Sequence, residues 1–489
     1  MNLFSKRLPV IDIGASSATR IAPLPRVLWI ELTSRCPFDC VFCSRKLLRG
    51  AGKHMDFDLY RRLIAELRNP DIIRLNYSGE SSHYPKIVEA CTLASATGAT
   101  VELVSVLAAL PQHRVDALAH SGLSRLTISL HSLDADKFAE IYRFSTVDAM
   151  RERIERIVSL APALERPLAI DFAFVAMQRN LDQLEAVADY ASELGIQRLA
   201  VHPVIRRDPI EETFVDELDG DRLRPAFLER LGAAIKRVAD KHPQLSIESS
   251  TPELHVSSEL DQVPRYFPAE LPAQARIHRC DQDPWETVHI LSDGAVVSCE
   301  ERDRIVLGNL ARQSLTEIWH GPDYAQFRDD YVHARDAKCR RCPYKVAHAP
   351  APLPSRIGSG EGEIGLLDGW LSDSERNFRW SRPQATLRLA GGGAGRLRVS
   401  GLLPQGLGEP NRLSLRANGI EIAKIVNRGA DMHRFEIERR LVVGDFIDLH
   451  FDVDQIFCPG DRGIGPDRRK LGFALIEAAF ARQGGRTLE

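Results

Sequence analysis

Val27-Leu28-Trp29-Ile30-Glu31-Leu32-Thr33-Ser34-Arg35-Cys36-Pro37-Phe38-Asp39-Cys40-Val41-Phe42-Cys43 is an apolar, strand-like run that opens onto three cysteines spaced CxxxCxxC. Three thiolates on one short loop can hold three irons of a 4Fe-4S cube and leave the fourth iron open to a small molecule. A cluster with four cysteine ligands instead serves as an electron carrier or a structural staple. A zinc knuckle would require a fourth ligand nearby. No further cysteine occurs before Cys91, and only His54 could stand in.

Outward from this loop, strand-like and helix-like segments alternate from residue 27 to about 250. Leu59, Tyr60, Leu63, Ile64 and Leu67 recur at helical spacing behind a cap at Asp56, and Asn69-Pro70 ends the helix. Apolar strands are expected near 72–77, 100–105, 125–130, 168–175 and 198–203, with amphipathic helices between them, one of which closes at Gly195. Strand then helix repeated six times implies a parallel sheet rolled into a partial (β/α)6 TIM-like barrel, with chemistry at the C-terminal ends of its strands. The Cys36 loop falls at one such end.

The cysteine spacing, with Phe42 just before the third cysteine, resembles that of the radical S-adenosylmethionine (SAM) enzymes. The resemblance implies that Cys36, Cys40 and Cys43 hold a 4Fe-4S cluster whose open iron chelates SAM, and that one electron cleaves SAM to a 5'-deoxyadenosyl radical. It further implies that Ser78-Gly79-Glu80 stands for the family's GGE-like motif at the SAM amino group, with Ser in place of the first Gly, and that Ser129 meets the SAM carboxylate or ribose. Gln178, Arg179, Asn180 and His202 fall at strand ends facing the same space, where a satisfied loop residue is the alternative. Val104-Ser105-Val106-Leu107 departs from the family pattern, so no cofactor contact is expected from that strand.

Cys280, Cys299, Cys339 and Cys342 form a second set, and Trp285 to Ser298 reads as a hairpin turning at Asp293-Gly294. The set resembles the SPASM/Twitch region of the same enzymes and implies an auxiliary 4Fe-4S cluster, single because only four cysteines are present. The bland alternative is a structural four-cysteine zinc site. Beyond a Pro/Gly/Ser-rich linker at 350–362, short alternating strands from 363 to 489, with Asn418-Gly419 as a tight turn, predict an all-β sandwich that resembles jelly-roll modules of polysaccharide enzymes. The expected organisation is therefore an N-terminal extension (1–25), barrel (26–250), cluster domain (251–349), linker and sandwich.

A net charge of -3 over 489 residues argues against a general nucleic-acid surface. No apolar run reaches membrane-span length and no signal peptide is evident, which points to a cytoplasmic protein whose thiols stay reduced. The favoured reading is an enzyme that oxidises, epimerises or dehydrates a carbohydrate-type substrate, served by an external reductant such as flavodoxin or ferredoxin. The alternatives are a SPASM-type maturase of a ribosomally made peptide, disfavoured by the absence of a leader-binding winged helix in the 25 residues before the barrel, and a non-catalytic zinc scaffold presenting a glycan-binding sandwich. Residues 206–224, rich in charge, are expected to form either a lid or a solvated loop.

Overall fold

The computed structural model describes residues 10–13, 22–144, 147–204, 220–249, 276–280, 282–299, 305–332, 335–337, 339, 345–348, 353–358, 360–362, 365–375 and 377–483. Most of the expected lid, and the expected metal ligand Cys342, lie outside the described residues. The chain divides into two compact units. One comprises Leu24–Pro272 and Ile277–Ala347; the other comprises Met1–Pro23, Ala273–Arg276 and His348–Glu489.

In the first unit, β2 (Val27–Ile30), β3 (Ile72–Arg74), β4 (Thr100–Ser105), β5 (Arg125–Ser129), β6 (Ala169–Ala176), β7 (Arg198–Pro203) and β8 (Ser246–Ser249) run parallel and in sequence order. This is the partial barrel, with one strand more than the six expected. The sheet alternates: Leu28, Ile30, Ile73, Val101, Leu103, Leu126, Ile128, Phe172 and Phe174 are fully buried on one face. Amphipathic helices supply apolar partners, including Phe57–Glu66, whose cap Asp56 accepts the Leu59 N–H at 2.9 Å.

The opposite face carries charge, and the charges are paired strand to strand. Arg74 bonds Glu102 at 2.7 Å, Arg125 pairs with Asp171, and Arg198 bridges Asp171 at 3.0 Å and Glu248 at 2.6 Å. Arg125 and Arg198 are half-exposed while their shared acceptor Asp171 is buried, and the pairs fix strand register across a polar face.

The sheet does not stop at the barrel. β10 (Thr287–Ile290) adds in parallel to β2, and β11 (Ala295–Val297) and β12 (Val306–Asn309) follow antiparallel, so the expected hairpin at Asp293-Gly294 forms with Gly294 at φ +82°. A separate ribbon pairs β9 (Arg276–Cys280) with Lys345–His348.

The second unit is a ten-stranded sheet wrapped on one apolar core. Strand Phe378–Ala390 acts as its corner. Its first residues pair with Ala474–Leu475 and its last with Phe446–Asp452, so two half-sheets join through one strand that changes partners around Pro383. Two segments read from the sequence as an N-terminal extension and a linker contribute strands to this sheet: β1 (Val10–Asp12) lies parallel to Arg440–Val442, and Arg356–Ile357, within the expected linker, pairs with Ala478–Ala479. Both are too short to show a period in sequence, and pairing decides them.

Candidate active site

The cysteine loop leaves β2 and is fastened to the end of helix Ala135–Tyr142. A helix leaves its last carbonyls without partners. Here Asp39 N–H bonds the Tyr142 carbonyl at 3.1 Å and Val41 N–H the Ile141 carbonyl at 2.9 Å, while Arg143 turns away at φ +52°. Phe38 packs edge-on to Phe144 at 4.8 Å, and the Asp39 carboxylate holds Lys46 and Arg143. Buried Arg45 donates to the Ser34 and Gly50 carbonyls, both at 3.2 Å, closing the far side of the loop.

None of the three thiols is in a disulfide; Cys36 and Cys40 are half-buried and Cys43 is exposed. Burial pushes the Cys36 thiol up to about 12, helped by the neighbouring Glu80 and Cys43 and opposed by the Phe38 backbone and Arg45. Cys40 is raised further, first by burial and then by Cys43, Cys36 and Glu80. Cys36 and Cys40, whose burial disfavours their thiolates, together with Cys43 on the same loop are a donor set that a cationic iron cluster would satisfy, with release of protons. Among the described residues no three His, Cys, Asp or Glu side chains are grouped so as to hold a single metal ion.

The strand ends surround this loop. Gly79 is forced: a Cβ there would stand 2.2 Å from the Thr33 carbonyl oxygen and 2.6 Å from that of Arg35. Glu80 is buried, and its carboxylate accepts four hydrogen bonds, from Ser82 N–H (3.1 Å), Ser82 Oγ (2.6 Å), Ser105 Oγ (2.6 Å) and Val106 N–H (3.0 Å). Four is about the capacity of a carboxylate. As placed, Glu80 ties the end of β3 to the end of β4 beside the thiols, and a direct bond from its side chain to a ligand amine would require one of these to yield. Ser105, on the strand from which no contact was expected, is thus part of the site's support. Its hydroxyl also accepts the Leu107 N–H at 2.9 Å, holding Leu107 at φ +63°, a strained conformation for a leucine.

Ser129, half-buried at the end of β5, gives its carbonyl to the Tyr142 hydroxyl at 2.7 Å, and its own hydroxyl finds no partner among the described residues. His131 lies edge-on to Phe42 at 5.0 Å and stacks on Tyr142 at 5.2 Å, while its Nδ1 accepts the Val175 N–H at 3.1 Å. Burial drives its pKa down to about 3, so the ring is neutral. Asn180 is fully buried and stitches strand ends together, its amide donating to the carbonyls of His131 and Val175, both at 3.0 Å. This is the satisfied loop role weighed for it. His202, at the end of β7, is also held neutral by burial and by Arg198.

Ser78 faces the other way. Its hydroxyl donates to Glu31, a buried carboxylate that also accepts Ser292 N–H (2.9 Å), Ser292 Oγ (2.8 Å) and Arg49 Nε (3.4 Å). Residue 292 belongs to the β10–β11 turn, so Glu31 joins the cysteine loop to the segment carrying the second cysteine set. A lone Glu after a strand gives no sign of this in sequence. Tyr77 makes a second link, its hydroxyl donating to the Cys299 carbonyl at 3.5 Å.

Cys280 ends β9, Cys299 follows β11 and Cys339 is buried; helix Pro322–Val332 lies against them, with Tyr324 near Cys299 and Tyr331 near Cys280 and Cys339. Arg328 of that helix bonds the carbonyls of Pro284 (2.9 Å) and Trp319 (2.7 Å) and lies over the rings of Trp319 and Tyr324. These soft donors in a dry, aromatic setting suit an iron-sulfur cluster.

Comparison with known proteins gives two family matches, the radical SAM superfamily over residues 30–213 and an iron-sulfur cluster-binding domain, SPASM, over residues 280–343. Among curated relatives, the PqqA peptide cyclase of Ruegeria pomeroyi is 29% identical over 190 residues, covering 38% of this chain and 50% of the relative. That of Bradyrhizobium diazoefficiens is 28% identical over 183 residues, covering 36% and 46%. The chain thus spans about half the length of the curated relatives it matches. A solved structure, Streptococcus suis SuiB, superposes at a TM-score of 0.47 with 16% identity, over 63% of this chain and 68% of that one.

Proposed function

We propose that this chain, a radical SAM enzyme that carries a SPASM iron-sulfur domain, modifies a side chain of a ribosomally made peptide by abstracting hydrogen from carbon. The observation that carries the substrate class is the similarity to curated peptide cyclases over 190 and 183 residues. The carbohydrate reading rested on a resemblance to Twitch-type dehydrogenases of sugar-like aminocyclitols and on the C-terminal module, whose Trp370 and Trp380 are core residues rather than sugar platforms. Trp370 donates to the Thr386 carbonyl at 2.7 Å and packs on the core, and Trp380 is buried against Phe457.

In this reading Cys36, Cys40 and Cys43 hold the SAM-binding cluster, and Cys280, Cys299, Cys339 and Cys342 hold an auxiliary one. Bound there, cluster and SAM supply a one-electron cleavage that generates the hydrogen-abstracting radical. The protein's own part is positional. Phe38, Arg45 and the helix 135–142 carbonyls fix the thiols, and Glu80 and Gly79 hold the β3 end against them. Ser129 would offer the cofactor a hydroxyl that has no partner among the described residues, and the charge-paired face of the sheet would present a polar floor to substrate. The reductant would be a flavodoxin or ferredoxin, in the cytoplasm. No described helix is long and apolar enough to cross a membrane.

The test is anaerobic incubation of reconstituted protein with SAM, reductant and synthetic peptides matching short reading frames beside its gene. A peptide that loses two hydrogens, or gains a crosslink, with matching 5'-deoxyadenosine supports the proposal. Deoxyadenosine formed together with oxidation of a sugar, and with no peptide changed, would reject it.

A further inference from the structure

We propose that the Tyr331 hydroxyl donates a hydrogen bond to the sulfur of Cys280 once that cysteine is a metal-bound thiolate, and that this bond raises the reduction potential of the auxiliary cluster. The proposal rests on the assignment of the second cysteine set to a cluster. Tyr331 sits in the last turn of helix Pro322–Val332 and is 3% exposed. Its ring is fixed edge-on to Trp285 at 5.7 Å and beside Phe327 at 6.4 Å. So held, the hydroxyl faces the Cys280 thiol with Cys339 next to it. It meets no acceptor at full hydrogen-bonding geometry.

A buried phenol without an acceptor is destabilising and calls for an explanation. A protonated thiol is a weak acceptor, whereas a thiolate is an anion and takes a shorter, stronger bond. Ligation would therefore turn the orphan into a satisfied donor without moving the helix. A donor on a ligating sulfur withdraws charge from the cluster and favours its reduced state. The proton stays on the phenol oxygen and the cluster takes one electron, so no further reactant is involved. Tyr324, two turns earlier on the same helix, supplies the contrast, because its hydroxyl points to the Thr287 carbonyl at 3.5 Å.

The experiment uses full-length protein with Cys36, Cys40 and Cys43 replaced by alanine, so that only the auxiliary cluster is read, and measures its midpoint potential by EPR-monitored titration. Y331F is expected to keep its iron and to become harder to reduce by about tenfold, 59 mV for one electron, while Y60F, which removes a buried barrel hydroxyl bonded to the Ala90 carbonyl, leaves the potential unchanged. Full iron with an unchanged potential in Y331F would overturn the proposal. Resonance Raman provides a second reading on the Tyr331 protein. An iron–cysteine stretch that shifts in D2O supports the bond, and one that does not shift refutes it, even where Y331F fails to load. Absence of auxiliary iron before Tyr331 is touched would remove the cluster assignment and the proposal with it, a result distinct from either.

Discussion

The two cysteine sets are built in opposite ways. The first lies on one loop, its three thiols brought together by eight residues of chain and by two hydrogen bonds to a helix end. The second runs from Cys280 to Cys342, its members delivered by a strand end, a hairpin and the segment after a helix. A local site inherits its geometry from the backbone, so the loop can be right with few long-range partners. A distributed site depends on whatever holds its elements in register, here Glu31 on Ser292, Tyr77 on Cys299 and the aromatic packing of Trp285, Tyr324 and Tyr331. The local set includes an exposed cysteine, Cys43, whereas in the distributed set Cys280 and Cys299 are half-buried and Cys339 is buried.

The sharpest way to break the contrast is to damage the local site with one methyl group. Gly79→Ala would drive a Cβ into the Thr33 and Arg35 carbonyls, and we expect loss of about half the bound iron and all deoxyadenosine formation, with the auxiliary EPR signal retained. Iron analysis and EPR on the same sample check this. Next comes the link between the sites. Glu31→Gln sets an amide against the Ser78, Ser292 and Arg49 donors and should cost about 2–3 kcal/mol in urea unfolding of the barrel unit, with parallel loss of both cluster signals. Loss of one signal alone would mean the sites are not coupled through Glu31.

A third test uses pH. His131 and His289 are both held neutral by burial, with pKa values pushed down to about 3 from the ordinary 6.5. The unfolded chain therefore binds more protons than the folded one between those values. Stability of the barrel unit is complete above about 6.5 and falls as pH drops toward 3. His289→Phe should flatten that slope in unfolding curves collected at stepped pH. The smallest effect belongs to the other unit. Asn418 sits at φ +47° in the tight turn with Gly419 and accepts the Asp448 N–H at 2.8 Å, so Asn418→Ala should cost about 1–2 kcal/mol there and change neither iron content nor EPR.

What could be read from the sequence follows the same divide. CxxxCxxC, the βα alternation, the Asp293-Gly294 hairpin and the Asn418-Gly419 turn are local patterns, and each appears where its residues stand. The supports were invisible for a common reason. Ser105, Asn180, Glu31 and Tyr331 act through partners 25 to 261 positions away or across a helix, and a single polar residue carries no mark of its distant partner. β1 and Arg356–Ile357 were missed because two or three residues cannot show a period. The substrate preference leaned on resemblances, not on residues that meet a substrate, and the similarity to peptide cyclases favours the alternative.

Iron counting in parallel on the reconstituted native chain, the C36A/C40A/C43A variant and a C280A/C299A variant, each assayed anaerobically for 5'-deoxyadenosine with SAM and dithionite, tests the account most directly. It predicts about eight, four and four irons per chain, with nucleoside made by the native protein, none by the first variant, and some retained by the second. Zinc in place of iron, or nucleoside surviving loss of the first three cysteines, would contradict it.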